Sequence, residues 1–196
     1  VWKQVGQIGT MVVHPGDPDV AYAAVLGHAF GPNPERGVYR TEDGGVSWKR
    51  VLVGGDRTGA SDVALDPGNP RILFAGTWQA VRRPWDLQSG GPGGGLWRSR
   101  DGGESWERLT GKGLPAGIWG KVGVRVAPSD SRRVYALIEA GEETGGLYRS
   151  DDGGDSWELA SSHHALRQRA WYYSVLTIDP KNPDVVWIPQ VNMLRS

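Results

Sequence analysis

The side chains able to do chemistry in this 196-residue chain are carboxylates, arginines and aromatics. It has no cysteine, so disulfides and cysteine metal sites are excluded. Its four histidines lack metal-ligand spacing; His163 and His164 are adjacent and would point apart on a strand. Asp151-Asp152-Gly153-Gly154-Asp155 lacks the spacing and terminal Glu of a calcium loop. Gly90 to Gly95 lacks the Gly-Lys-[Ser/Thr] of a phosphate loop. Neither a Gly-x-Ser-x-Gly elbow nor a His-Glu-x-x-His helix is present. No metal and no cofactor is expected. Hydrolysis of a glycosidic bond needs two carboxylates across a cleft. Glu35, Asp56, Asp62, Asp86, Glu139, Glu142 and Glu143 are candidates, and no spacing pairs any two of them.

Two stretches gather arginine with large aromatics. One holds Trp78, Arg82, Arg83 and Trp85; the other holds Arg167, Arg169, Trp171 and Tyr172. Aromatic rings give flat apolar faces, and guanidinium groups give forked donors. That pairing suits a sugar, a peptide or an anionic group. The competing roles are structural: the residues pin long loops to their neighbours, and Arg167 and Arg169 neutralise the acidic stretch Glu139–Glu143.

The elements that must position these groups are legible from an octapeptide, [Ser/Thr]-x-Asp-Gly-Gly-x-Ser-Trp, that occurs three times. Its copies run from Thr41 to Trp48, Ser99 to Trp106 and Ser150 to Trp157. Each follows an alternating strand pattern (Gly37-Val38-Tyr39-Arg40, Gly95-Leu96-Trp97-Arg98, Gly146-Leu147-Tyr148-Arg149) and leads into another short strand. The octapeptide is therefore a hairpin. Asp-Gly-Gly tolerates positive φ, and the Asp carboxylate and Ser/Thr hydroxyl can bond the turn backbone. The tryptophan is an apolar anchor with one N–H. Asp43, Gly45, Trp48, Asp101, Gly103, Trp106, Asp152, Gly154 and Trp157 accordingly read as structural.

A second repeated signature stands before each hairpin: His14-Pro15-Gly16-Asp17-Pro18, Asp66-Pro67-Gly68-Asn69-Pro70, Ala127-Pro128-Ser129-Asp130 and Asp179-Pro180-Lys181-Asn182-Pro183. Each separates two apolar runs and fits a tight turn. The unit is thus four strands, recurring at 58 and 51 residues between box aspartates. Four-stranded antiparallel units at this period are propeller blades, which bury their faces only against neighbours. The expected fold is all-β, a β-propeller segment of about four blades over 1–196. Blades are expected at 8–52, 60–109 and 120–160, with an incomplete blade at 170–196. Residues 1–7 read as the outer strand of a preceding or closing blade, and the whole as a piece of a longer propeller. Strand order puts the Pro-turns and octapeptides on one face. The variable loops, with the arginine–aromatic stretches, fall on the other, where length varies as a functional face does.

Basic and acidic residues balance at 22 each, without a block of like charge, which argues against a nucleic-acid surface. No apolar run is long enough to span a bilayer, so membrane insertion is not expected. Thirty glycines and ten tryptophans, with short apolar runs between turn residues, agree with an all-β chain.

With Ser/Thr, Asp, the second Gly, Ser and Trp all in place, the octapeptide resembles the Asp box, or bacterial neuraminidase repeat. The whole chain resembles Asp-box propellers of sortilin-type receptors and xyloglucan-hydrolysing glycosidases, and looks most like large bacterial repeat proteins of this style. The resemblance implies an exported protein with a larger propeller, Asp boxes away from the active face, and a protein or glycan partner. Photosystem-assembly propellers share the repeat and imply that the fold can serve as a docking platform, with missing blades or other subunits as further partners. The catalytic aspartates of the glycosidases have no recognisable counterpart here, and the arginine motif of sialidases is not matched. The expectation is a binding or scaffold propeller working through its variable loop face; the alternative is a glycoside hydrolase of the same fold.

Overall fold

Short alternating segments cut by Pro, Gly and Asp turns can satisfy their backbone only by pairing with one another. In the computed structural model, which describes residues 5–196, they form four antiparallel sheets arranged as the blades of a β-propeller. Blade one pairs β1 (Gln7–His14), β2 (Asp17–Gly27), β3 (Gly37–Thr41) and β4 (Lys49–Leu52) in sequence order. Blade two has β5 (Thr58–Leu65), β6 (Leu73–Arg82), β8 (Gly95–Ser99) and β9 (Glu107–Leu109), with β7 (Leu87–Ser89) folded back on the end of β6. Blade three has β10 (Val122–Ala127), β11 (Asp130–Ile138), β12 (Gly146–Ser150) and β13 (Glu158–Ser161). Blade four has β14 (Thr177–Ile178), β15 (Val186–Pro189) and β16 (Met193–Arg195). The strand expected over 1–7 falls mostly on residues 1–4, outside the described residues; Val5 and Gly6 are not in a strand, and Gln7 opens β1.

Each interface between successive blades is an apolar layer. Tyr22, Ala24 and Leu52 of blade one pack with Ala60, Val63 and Leu73 of blade two. Phe74, Leu96 and Leu109 of blade two meet Val122, Val124 and Trp157 of blade three. Leu137 and Leu147 then meet Leu176, Val186 and Ile188 of blade four. The inner strands approach so closely that a Cβ at Gly9 would collide with the carbonyl of Ser61, and one at Gly123 with that of Ser174. Glycine in these strands is thus a spacing device.

The octapeptides form the hairpins read from sequence. In the first, the Thr41 hydroxyl accepts from Gly45 N–H at 2.9 Å. The Asp43 carboxylate accepts from Ser47 N–H at 2.8 Å and from the Ser47 hydroxyl at 2.6 Å. Trp48 Nε1 donates to the Gly45 carbonyl at 3.1 Å. The other two boxes repeat this pattern. Both glycines of every box lie at positive φ, between 67° and 92°. Box glycines also donate to the turn side of their blades, Gly44 to Asp19 O, Gly102 to Arg71 O and Gly153 to Arg132 O. Boxes and Pro-turns therefore share a face.

These hairpins carry a pH signature. Bonds from the hydroxyl and N–H of Ser47 hold Asp43 down at about 2. Burial pushes Asp152 upward, but the Ser156 hydroxyl and N–H outweigh it and hold Asp152 at about 2 as well. Asp101 is lowered by the equivalent bonds from Ser105. A carboxylate depressed in the folded state stabilises it above the unfolded value and loses that contribution as pH falls through the folded one. Melting temperature should stay nearly flat from pH 7 to about 4 and fall between about 4 and 2. Thermal melts across that range test this, and a collapse already complete at about pH 5 would contradict it.

Strand alternation puts Arg40 on the same face as Val38 and Arg98 on that of Leu96; both arginines are buried, at 8% and 3% exposure, and each reaches the box of the next blade. Arg40 donates to the Gly102 carbonyl at 2.9 Å and pairs with Glu104. Arg98 donates to the Gly153 carbonyl at 2.9 Å and pairs with Asp155 at 2.9 Å. The arginines latch blade to blade beneath the turns.

The first arginine–aromatic stretch, expected in a variable loop, begins as the continuation of β6: Trp78 and Gln79 pair with Gly59 and Thr58, and Ala80–Arg82 pair with Leu87–Ser89. Arg83-Pro84-Trp85-Asp86 is the tip of that hairpin, closed by Arg83 N–H on the Asp86 carbonyl at 2.9 Å. The link into blade four is not extended. It folds into a 3-10 turn, His164–Arg167, and a one-turn helix α1, Ala170–Tyr173.

Candidate functional site

The loop-side mouth, opposite the Asp boxes, holds a cavity of about 410 Å³. Its floor comes from the starts of the inner strands: Gln7 and Gly9 of β1, Ser61 of β5 and Lys121 just before β10. One wall is the end of β6, with Trp78, Ala80 and Arg82 alternating onto the same face, plus Leu87 of β7. Trp171 and Tyr172 of α1 also line the cavity. Leu26, Ala29 and Phe30 complete the rim from blade one.

The two arginine–aromatic stretches thus meet, though blade three lies between them in sequence. Trp78, Arg82, Trp171 and Tyr172 line the cavity. The other four named residues lie elsewhere. Arg83 is paired with Asp86 at 3.2 Å at the hairpin tip, where Trp85 is 80% exposed. Arg167 spends its guanidinium on the carbonyls of Ala140, Gly141 and Glu142. It does hold the acidic stretch, through backbone oxygens rather than charge pairing. Arg169 is exposed and donates through its backbone N–H to Gln190 at 3.4 Å.

The residues that set the walls were not singled out as a group from sequence. Glu139 Oε1 accepts from Trp171 Nε1 at 2.9 Å, and Oε2 accepts from the Ser89 hydroxyl at 2.7 Å and Lys121 N–H at 2.8 Å. The Ser89 oxygen in turn accepts from Trp78 Nε1 at 2.9 Å. One carboxylate therefore orients both indoles. Lys121 Nζ donates to the Trp171 carbonyl at 3.1 Å and lies 5.5 Å from the Trp78 ring centroid. Burial pushes the Lys121 amine below its ordinary value, against the opposing pull of Asp62 and Glu139. Glu139 was named from the sequence among the candidate carboxylates; Lys121 and Gln7 carried only a positional hint, a polar residue where the inner strands begin.

Besides Glu139, the sequence-nominated Asp62 adjoins Ser61 of this floor, and it is fully committed. Oδ1 accepts from the Thr10 hydroxyl at 2.7 Å and Val63 N–H at 3.0 Å; Oδ2 accepts from Val124 N–H at 3.0 Å and Arg125 Nη1 at 2.7 Å. Neither Asp62 nor Glu139 presents a free oxygen for proton transfer.

The BNR/Asp-box repeat model matches residues 97–108 and 148–159, two of the three hairpins described above. The chain is an Asp-box repeat β-propeller. Over most of its length it resembles xyloglucanases. It is 28% identical over 182 residues to the xyloglucanase of a Paenibacillus species, covering 80% of this chain and 16% of that protein. It is 27% identical over 177 residues to xyloglucanase Xgh74A of Acetivibrio thermocellus, covering 77% of this chain and 19% of that protein. The chain spans less than a fifth of these relatives. The same fold is present in the GH74 xyloglucanase of Xanthomonas campestris, with a TM-score of 0.69, 20% identity, and coverage of 96% of this chain and 27% of that one. It is present also in YCF48 of Cyanidioschyzon merolae, with a TM-score of 0.52, 15% identity, and coverage of 94% and 53%.

Proposed function

We propose that this propeller segment binds a glycan at its loop-side mouth, as part of a larger exported protein. The observation that carries the reading is the convergence of Trp78, Trp171, Tyr172 and Arg82 on one cavity, with the indoles fixed by Glu139. Fixed aromatic faces with a few placed donors suit a pyranose ring, which has an apolar face and a polar perimeter. The relatives named xyloglucanases support a polysaccharide over a protein as the partner. The resemblance supports export; among the described residues, no helix is long and apolar enough to cross a membrane.

Binding is favoured over hydrolysis within this segment because the nearby carboxylates, Asp62 and Glu139, have every oxygen engaged by protein donors. Glycoside hydrolysis is the second reading, favoured by the names of the relatives. It would require a carboxylate pair assembled with residues beyond this mouth.

A glycan array probed with the protein, with a parallel assay for reducing ends, separates the two. The expected result is capture of a polysaccharide without turnover, weakened roughly 30-fold or more by Trp171→Ala at unchanged melting temperature. Turnover abolished by a single Asp or Glu change would establish the hydrolase. Capture unaffected by Trp171→Ala would remove the mouth from the account.

A further inference from the structure

Arginine is handled consistently in this fold, with one exception. Arg40, Arg98, Arg125, Arg133 and Arg149, all buried or half-buried, form ion pairs. Arg36 and Arg167, also buried or half-buried, donate to backbone carbonyls. Arg82 is half-buried as well, at the end of β6 on the cavity wall. Its backbone N–H bonds Ala29, but its guanidinium has no hydrogen-bond or ion-pair partner among the described residues. A guanidinium on a cavity wall without a protein partner keeps its donors for a ligand, and the other half-buried or buried arginines of this chain spend theirs on protein acceptors.

Lys121 lines the same cavity. An ammonium has three donors, and Lys121 spends one on the Trp171 carbonyl. It forms no ion pair with a carboxylate among the described residues; the nearby charges are Asp62, already paired with Arg125, and Glu139, engaged by Trp171, Ser89 and the Lys121 N–H. The cavity lining contains these two cations and no Asp or Glu.

On the reading that this mouth binds a glycan, we propose that it selects acidic glycans, with the uronic-acid carboxylate seated between Arg82 and Lys121 and the sugar ring on the Trp171 and Tyr172 side. A carboxylate here gains charge-assisted hydrogen bonds from both cations without displacing an existing partner. A neutral hydroxyl can accept the same donors but leaves the charges uncompensated. This sets the mouth apart from one built for a neutral glucan.

Isothermal titration of the protein with oligogalacturonides, and with neutral xyloglucan and cello-oligosaccharides of matched length, tests the proposal. Oligogalacturonides should bind at least about tenfold more tightly. That preference should shrink as salt rises and vanish in Arg82→Gln, with the melting temperature reporting that the variant folds. Lys121→Gln should reduce it as well. Equal or tighter binding of the neutral oligosaccharides would overturn the acidic preference and leave glycan binding standing. If no oligosaccharide binds, or if only an acidic peptide such as polyglutamate does, both readings fall.

Discussion

Replacing Asp62 by alanine should destabilise the protein by about 3 kcal/mol, the lower end of what removing one partner of a buried ion pair costs. Asp62 is 3% exposed and accepts bonds from Thr10 on β1 and from Val124 and Arg125 on β10. It sits beside the bulge that interrupts the β5–β6 register between Ala60 and Asp62, which redirects the strand there. Three inner strands thus share one carboxylate. The estimate stays low in its range because the Arg125 side chain is 27% exposed and its guanidinium also reaches the Val124 carbonyl at 2.6 Å, so it is not stranded. For a chain of this size the loss corresponds to roughly 6–12 °C in melting temperature. Asp62→Asn, which keeps the shape and some acceptors, should lose less. A melting temperature within about 2 °C of the parent for Asp62→Ala would show that the carboxylate does not tie the blades together.

Trp157→Ala should cost about 3–5 kcal/mol, the usual range for emptying a large aromatic site in a packed core. Trp157 is 6% exposed and belongs to the apolar layer between blades two and three. Its backbone N–H bonds Lys112, and Gly113 lies so close to its carbonyl that a Cβ there would collide with it. The sequence presents the three box tryptophans as equivalent anchors. The structure does not: Trp48 and Trp106 are half-buried, although both make the same indole bond back into the turn. Trp106→Ala and Trp48→Ala should therefore cost less than Trp157→Ala. Thermal or denaturant unfolding of the three variants gives the order, and equal losses would contradict the burial argument.

What could be read from the sequence was local. The octapeptide specifies its own hairpin because all its partners lie within four residues, as with Asp43 and Ser47. The Pro-turns, the strand alternation and the repeat follow for the same reason. The connections between blades could not be read this way. Asp62 and Arg125, Arg98 and Gly153, and Trp171 and Glu139 are far apart in sequence and carry no local signature. The helical fold of the link at 164–173 was hidden by its short length and mixed pattern. The candidate site falls between these cases. Arginine–aromatic composition pointed to both contributing stretches, and strand order put them on one face. Only the closeness of the inner strands brings Trp78 and Arg82 within one cavity of Trp171 and Tyr172. Composition could not separate Arg82, which faces that cavity, from Arg83, which turns away to Asp86.

The most direct test of the account is a crystal structure of the protein soaked with the oligosaccharide it binds most tightly. Density for a sugar ring against Trp171 and Tyr172, within reach of Arg82 and Lys121, is the predicted result. A sugar seated instead at the opposite mouth, among Met11, Val13, Leu65 and Val126, or along the Asp-box hairpins, would contradict it.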